Sequence, residues 1–339
     1  MKILFITSSK EDYLSDGVLH GLKTLYKIDC IDYPRADILY KDCNENIRKK
    51  VRGFGFTLYS GLLEEDGADR FNIEEKIKKN YFDLIIIGNI WRQFGFYYQF
   101  KPWLKKGNTI ILDGEDNERG FPAAGQFIRN SSYWLMPNVI NNFLYFKREW
   151  TERTVFNLMY EILPSRIYKL FFKDKNIRKI NFSIPFEKII NDPEIIKIKK
   201  FSKHIVDPEL ASLIPESSLE YAFENEMEYY KDLQESKFGI TTKRAGWDCL
   251  RHYEIAANGC VPCFKNLHLK PQTCAPHGLN DGNCIAYTSA EDLLKKIDNI
   301  NDSEYKLLQN GALEWVKNQT TVAVAKNVLN EYKLNRNYI

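Results

Sequence analysis

Apolar and polar positions along this chain read as strand, loop, helix, strand. "KILFIT" (Lys2–Thr7) is a short apolar run that gives way to Ser8 and Ser9. "DGVLHGLKTLY" then spaces its apolar residues for one buried helical face, and "KIDCIDY" (Lys27–Tyr33) returns to strand. That order opens a doubly wound α/β domain. "FDLIIIGNI" (Phe82–Ile90) and "NTIILDGED" (Asn108–Asp116) are near-continuous apolar runs with polar ends. Parallel strands covered on both faces need such runs, and open parallel sheets place their ligands at those polar ends.

The middle of the chain breaks the pattern. "NVINNFLYFKREW" and "VFNLMYEILPSRIYKLFFKDKNIRK" mix aromatics with Lys and Arg, and no flexible linker separates them. The α/β grammar then resumes. Helices are predicted over Leu219–Ser236, in "DCLRHYEIAANG" (ended by Gly259), in "SAEDLLKKIDNI" (capped by Ser289) and in two closing segments from Asp302 onward. "KFGITT", "CVPCF" and "NCIAYT" are the strands between them. The predicted architecture is α/β, with two Rossmann-like domains facing a cleft. The first spans 1–175 and the second 176–325, and 326–339 forms a helix or tail returning to the first.

Composition agrees with two domains, since 339 residues exceed the usual size of one. The 44% hydrophobic and 27% charged fractions are those of an ordinary globular protein. A net charge of +3 is too small to argue for nucleic acid, so that partner has no support beyond a few basic stretches. The seven cysteines are odd in number and scattered, which fits free thiols in a reducing compartment. The first apolar run is too short for a secretory signal, and none reaches the roughly 18 residues of a membrane span. The expected location is cytoplasmic.

The stretch "GITTKRAGWDCLRHYEIAANGCVPCF" (Gly239–Phe264) carries the most chemistry. A helix that starts beside a strand end offers free backbone N–H groups and a positive dipole, which suit a phosphate. Lys243 and Arg244 lie in the connecting loop, where they add charge for a diphosphate, and Gly246 and Trp247 lead into the helix. Ala256, Ala257 and Gly259 let that helix sit close to its sheet. Glu254 lies about two turns in. Spacing alone leaves two readings of it: a carboxylate for ribose hydroxyls, or a structural acid paired with Arg251 at i−3.

Two acidic clusters follow strands in the first half. Ser8, Ser9, Asp12, Asp16 and His20 come after the first, and Asp12 and His20 are candidates for a general base. Helix capping and core packing are the competing roles for them. "DGEDNERG" (Asp113–Gly120) offers Asp113 and Asp116 to hold an acceptor hydroxyl or take its proton, against a divalent-metal site or a solvated turn. "CVPC" (Cys260–Cys263) sits in a strand after its helix and has no second CxxC, so both thiols are read as buried. "RIYKLFFKDKNIRK" (Arg166–Lys179) is either an amphipathic packing helix or a surface for peripheral contact with an anionic membrane.

"RHYEIAANGCVPCF" resembles the nucleotide-sugar-binding helix and strand of the GT-B glycosyltransferases. "LNDGNCIAYTSAEDLLKKIDNINDSEYKLLQNGALEWV" resembles the stretch that follows in them. The likeness covers about residues 219–325, and its flavour is that of the spore-coat-maturation and exostosin-like transferases. It implies that Glu254 binds the nucleotide ribose and that Arg251 is the basic residue one turn before it. Gly259 and Pro262 would shape the turn into the strand, and Lys243 and Arg244 lie where such enzymes place cations on the diphosphate. The implied donor is a nucleotide-diphosphate sugar, with no separate cofactor and no bound metal. The implied acceptor is a hydroxyl on a glycan, a lipid-linked molecule or another compound, in surface polysaccharide or glycoconjugate synthesis. Transfer to modified DNA bases is the alternative reaction, and a non-catalytic nucleotide- or sugar-binding protein the alternative class. One departure stands out. Many retaining members carry a second Glu eight residues before the ribose acid, and here position 246 is Gly.

Overall fold

A computed structural model describes residues 1–8, 10–51, 58–121, 139–154, 164, 167, 175–191, 195–220 and 222–336. Ser9 and most of Arg166–Lys179 lie outside the described residues.

The first half is built on six parallel strands: β1 (Ile3–Ile6), β2 (Cys30–Tyr33), β3 (Leu84–Ile87), β4 (Thr109–Asp113), β5 (Leu144–Lys147) and β6 (Ile177–Lys179). Their order in the sheet is β2-β1-β3-β4-β5-β6. Side chains alternate between its two faces, as the two-residue period of a strand demands. Ile3, Phe5, Leu84, Ile86, Ile110 and Leu112 enter one apolar core, while Leu4, Ile6, Ile85, Ile87 and Ile111 enter the other. Helix α1 (Tyr13–Tyr26) covers the first face, and α2 (Ile73–Lys78) and α3 (Ile90–Phe100) the second. β5 and β6 fall in the mixed aromatic and basic middle, where no strand was expected. β6 pairs with β5, so the first sheet runs past residue 175 to Lys179.

The second half has four parallel strands in the order β10-β9-β8-β7. These are β7 (Lys199–Phe201), β8 (Ser236–Thr242), β9 (Val261–Lys265) and β10 (Ile285–Tyr287). The predicted helix over Leu219–Ser236 is shorter, because Asn225 caps it; α4 spans Glu226–Glu235. Helix α5 (Leu250–Ala257) ends where expected: Gly259 adopts φ +67 and its amide returns to Ala256, a left-handed stop that glycine takes without strain. Ser289 caps α6 (Ala290–Asp298), and a capping box of Asn301 and Glu304 starts α7 (Asp302–Lys317). Cys260 and Cys263 are both buried at β9.

The last helix, α8 (Thr321–Arg336), follows the second half in sequence but lies against α1 of the first. Val324, Ala325, Val328, Leu329 and Tyr332 form its buried stripe. At its start, Gly21 of α1 meets the backbone so closely that an added Cβ would lie 2.1 Å from the Thr321 carbonyl oxygen. Among the described residues no helix is long and apolar enough to cross a membrane. Gly21→Val forces α1 and α8 apart; its expected cost is about 1–3 kcal/mol of stability, read from a urea unfolding curve. An unchanged midpoint would show that the contact adapts freely.

Candidate functional site

The loop from β8 to α5 and the start of α5 form one flank of the site. Gly239 on β8 sits under Ile255, where an added Cβ would come within 2.7 Å of its side chain, so α5 lies close to the sheet. Cys249 is the residue at the N-terminus of α5, and no side chain caps the helix there. The Arg244 amide donates to Gly246 O at 3.0 Å and closes the loop into a tight turn. The Lys243 ammonium lies 5.1 Å from the centre of the Trp247 ring. Arg251 reaches His204 with Nη2 at 3.4 Å, and its Nη1 is buried without a partner. Burial and then the Arg251 charge push His204 down to about 4, so its ring is neutral.

Glu254 lies three residues after Arg251 on the same helix and is partly buried. Among the described residues no ion pair joins it to Arg251, although the Arg251 charge still acts to lower its carboxyl. Its polar contact is Tyr229, whose hydroxyl lies 3.4 Å from Oε2. Burial raises the Glu254 carboxyl to about 7, against the lowering effect of Arg251 and with a further upward push from Glu226. A carboxylate held this high has lost water without gaining full compensation, and it is open to hydroxyl donors.

A buried cation that the sequence reading did not single out makes the other flank. Arg148 follows β5 and is wholly enclosed. Its Nη1 donates to Glu149 at 2.8 Å and to the Asp248 carbonyl at 2.9 Å, and its Nε donates to Gly114 O at 3.0 Å. Nη2 pairs with Asp116, and the guanidinium lies 4.4 Å over the Phe182 ring. Glu149 in turn accepts the Asp248 amide at 3.2 Å. The Asp248 side chain accepts the Phe182 amide at 2.8 Å and the Tyr253 hydroxyl at 2.8 Å. Burial raises both Glu149 and Asp248, outweighing the pull of Arg148. One arginine thus joins the ends of β4 and β5 to the loop before α5. Local sequence held one signal of this: the apolar run of β5 passes straight into Lys147, Arg148 and Glu149, all three buried.

This junction accounts for Gly246. A Cβ there would lie 2.6 Å from Glu149 Oε1 and 2.8 Å from Asp116 Oδ1. The space that a side chain at 246 needs is filled by two carboxylates from the first half.

The remaining candidates are placed as follows. Asp12 caps α1 through the Ser15 amide at 3.0 Å and accepts Asn89 at 2.5 Å. Asp16 accepts the Asp12 amide at 2.9 Å, and burial raises its carboxyl well above the usual range. His20 is buried between α1 and α8, with Nδ1 2.9 Å from the Thr321 hydroxyl and Nε2 3.5 Å from Glu187. These are capping and packing geometries. Asp113 is fully buried against Lys147 at 3.0 Å. Asp116 is different: its side chain is half exposed, at 52%, while Arg148 fixes it beside Gly246. Among the described residues no group of His, Cys, Asp or Glu forms a metal cluster. Cys249 lies 3.9 Å from His252 Nδ1, and although burial pushes its thiol up, the His252 and Arg251 charges bring it below the ordinary value.

Restoring the acid at the loop tests this crowding. Gly246→Glu is expected to lose about 1–3 kcal/mol in chemical denaturation, because neither Glu149 nor the Arg148-held Asp116 yields without breaking its own bonds. A wild-type midpoint would mean the two carboxylates move aside.

No family model matches the sequence, and no curated protein matches it. Solved structures do. The Anabaena protein Alr3699/HepE in complex with UDP-glucose superimposes with a TM-score of 0.55 at 10% identity, over 98% of this chain and 100% of that one. The same protein with UDP and glucose gives 0.53 over the same shares. A glycosyltransferase from Rickettsia africae ESF-5 gives 0.53 at 12% identity, over 98% of both chains. With its two parallel sheets and their connecting helices, this chain has the GT-B fold of those glycosyltransferases.

Proposed function

We propose that this protein is a glycosyltransferase that moves a sugar from a nucleotide-diphosphate donor to an acceptor hydroxyl. The observation that carries the reading is Glu254, a partly buried carboxylate that no ion pair engages among the described residues, on a helix whose start no side chain caps. Structural neighbours solved with UDP and with UDP-glucose support it, and make UDP the first nucleotide to try.

In this reading Glu254 accepts the two ribose hydroxyls. The amides at the start of α5, with Lys243, Arg244 and Arg251, hold the diphosphate, and Trp247 packs in the same loop. The acceptor oxygen attacks the anomeric carbon, the bond from that carbon to the diphosphate oxygen breaks, and negative charge grows on the leaving group. The helix dipole and the cations face that charge, and groups already in place stabilise it without reorganising. Asp116 is our choice for the group that takes the acceptor proton, because it is half exposed and fixed at the junction. Asp12 and His20 are left to helix capping and packing.

We assign the acceptor role to the half that ends at Lys179 and the donor role to the half that follows. The acceptor is a glycan, a lipid-linked molecule or another hydroxyl compound of surface polysaccharide or glycoconjugate synthesis. Seven free cysteines, six of them buried, support a reducing, cytoplasmic setting.

Calorimetry with UDP and other nucleoside diphosphates tests the donor site. Wild-type protein is expected to bind one of them and Glu254→Gln to bind it at least tenfold more weakly. An affinity within twofold of wild type would make Glu254 structural, and no binding by any nucleotide would remove the reading. Release of sugar from a bound nucleotide sugar separates a transferase from a binding protein.

Acidity provides a second test. The ionised form of Glu254 is the one that accepts both hydroxyls, and its carboxyl titrates at about 7. Affinity should therefore rise with pH, by about tenfold between pH 6 and pH 8, as the ionised fraction grows. Glu254→Gln should flatten that profile, and an equally steep profile in the variant would assign the titration to another group.

A further inference from the structure

Two lysines and a histidine meet on one turn at the junction of the two halves, and among the described residues no salt bridge joins them to a carboxylate. The turn follows β9 and is pinned to the end of β5: the Ala275 amide donates to Arg148 O at 3.0 Å and the Thr273 hydroxyl to Trp150 O at 2.5 Å. Lys270 folds back over it, with its ammonium 2.7 Å from Cys274 O and 3.3 Å from Pro271 O. Lys179, at the end of β6, reaches the same turn from the other side, 3.4 Å from Gln272 O. His277 closes it. Its carbonyl accepts the Trp315 indole N–H at 2.7 Å, its ring bonds the backbone at Ile180, and its Nε2 is buried without a partner.

This arrangement is electrostatically unfavourable as it stands. Burial lowers Lys270, and Lys179 adds to that effect; burial and then both lysines push His277 down to about 4. The nearest acids, Asp248 and Glu149, are engaged by Arg148, backbone amides and Tyr253 instead. An anion between the two ammonium groups relieves their repulsion and favours proton uptake by the His277 ring. Lysines serve a phosphate as compact point charges, and a protonated ring adds a third donor.

We propose that Lys179, Lys270 and His277 form a second anion site, distinct from the donor loop, that takes a phosphate group carried by the acceptor. This deepens the glycosyltransferase reading and rests on it for the word acceptor, but the binding site itself does not. A phosphorylated acceptor would be anchored beside Asp116 and Gly246 through its phosphate. Such a phosphate comes either from a soluble molecule or from a lipid headgroup.

The test is calorimetric titration of inorganic phosphate into the full-length protein saturated with UDP. Wild type is expected to bind phosphate, and K179Q/K270Q to bind it at least tenfold more weakly while its UDP affinity stays within twofold. The exposed Lys179→Gln alone should show a smaller loss in the same direction, which keeps the test valid if the double variant misfolds. Phosphate should also shift the His277 ring titration upward in NMR spectra. Phosphate binding that is equal in the variants, or no shift at His277, overturns the proposal. Flotation with phosphatidic-acid vesicles assigns the source: association that K179Q/K270Q loses places the phosphate on a lipid, and phosphate binding without vesicle association places it on a soluble acceptor. Absence of UDP binding removes the donor reading and leaves the phosphate titration, repeated without UDP, to decide the site.

Discussion

Arg148 is a cation without exposed surface, and segments from both halves of the chain end on it. Its bonds reach Gly114, Asp116, Glu149 and the Asp248 carbonyl, a span of more than one hundred residues of sequence. Taking such a group out of water is costly, and only a complete set of partners offsets it. The arrangement is therefore close to all-or-none, because losing one partner leaves the others as uncompensated buried charge. That is a strong way to fix how the loop before α5 sits against the first sheet. Solvent-screened surface pairs, such as those of Arg35 with Asp37 and Asp42, fix little by comparison.

The same balance of burial against charge separates the acids of the site by role. Glu149 and Asp248 are raised by burial, yet their oxygens are occupied by amides, a hydroxyl and the guanidinium. Glu254 is raised as well, but among the described residues its one hydrogen bond is a long contact from Tyr229. Asp116 keeps solvent contact. Four carboxylates thus divide into two that hold the framework, one with a single long hydroxyl contact among the described residues and one that stays half exposed.

Much of the fold was legible in the sequence, and the reason is physical. β1, β3 and β4 are buried on both faces, so their apolar runs are nearly unbroken. α5 announced its end through Gly259, and α6 its start through Ser289. β5 escaped because it is four residues long and runs into Lys, Arg and Glu, a composition that ordinarily means surface. α4 was overextended because its cap, Asn225, stands inside a stretch of acids and aromatics. Of the candidate site, the flank from Lys243 to Glu254 lies in one contiguous segment and was singled out from it. The Arg148 junction could not, since Asp116, Arg148 and Asp248 are each unremarkable locally and acquire meaning only through tertiary contact. The glycine at 246, which looked like a missing acid, reports on carboxylates that lie far away in the chain.

The placement of α8 bears on how the chain is made. The first sheet consists largely of residues made well before 321 to 336, yet those later residues cover the outer side of α1. Until residues 321 to 336 are made, Leu22 and its apolar neighbours on α1 lack part of their native cover. The first half must then wait, incompletely packed, through the production of the whole second half, which is the interval when exposed apolar surface invites chaperones and aggregation. Completion of the first half is therefore coupled to the synthesis of α8, although every residue of its sheet is present long before.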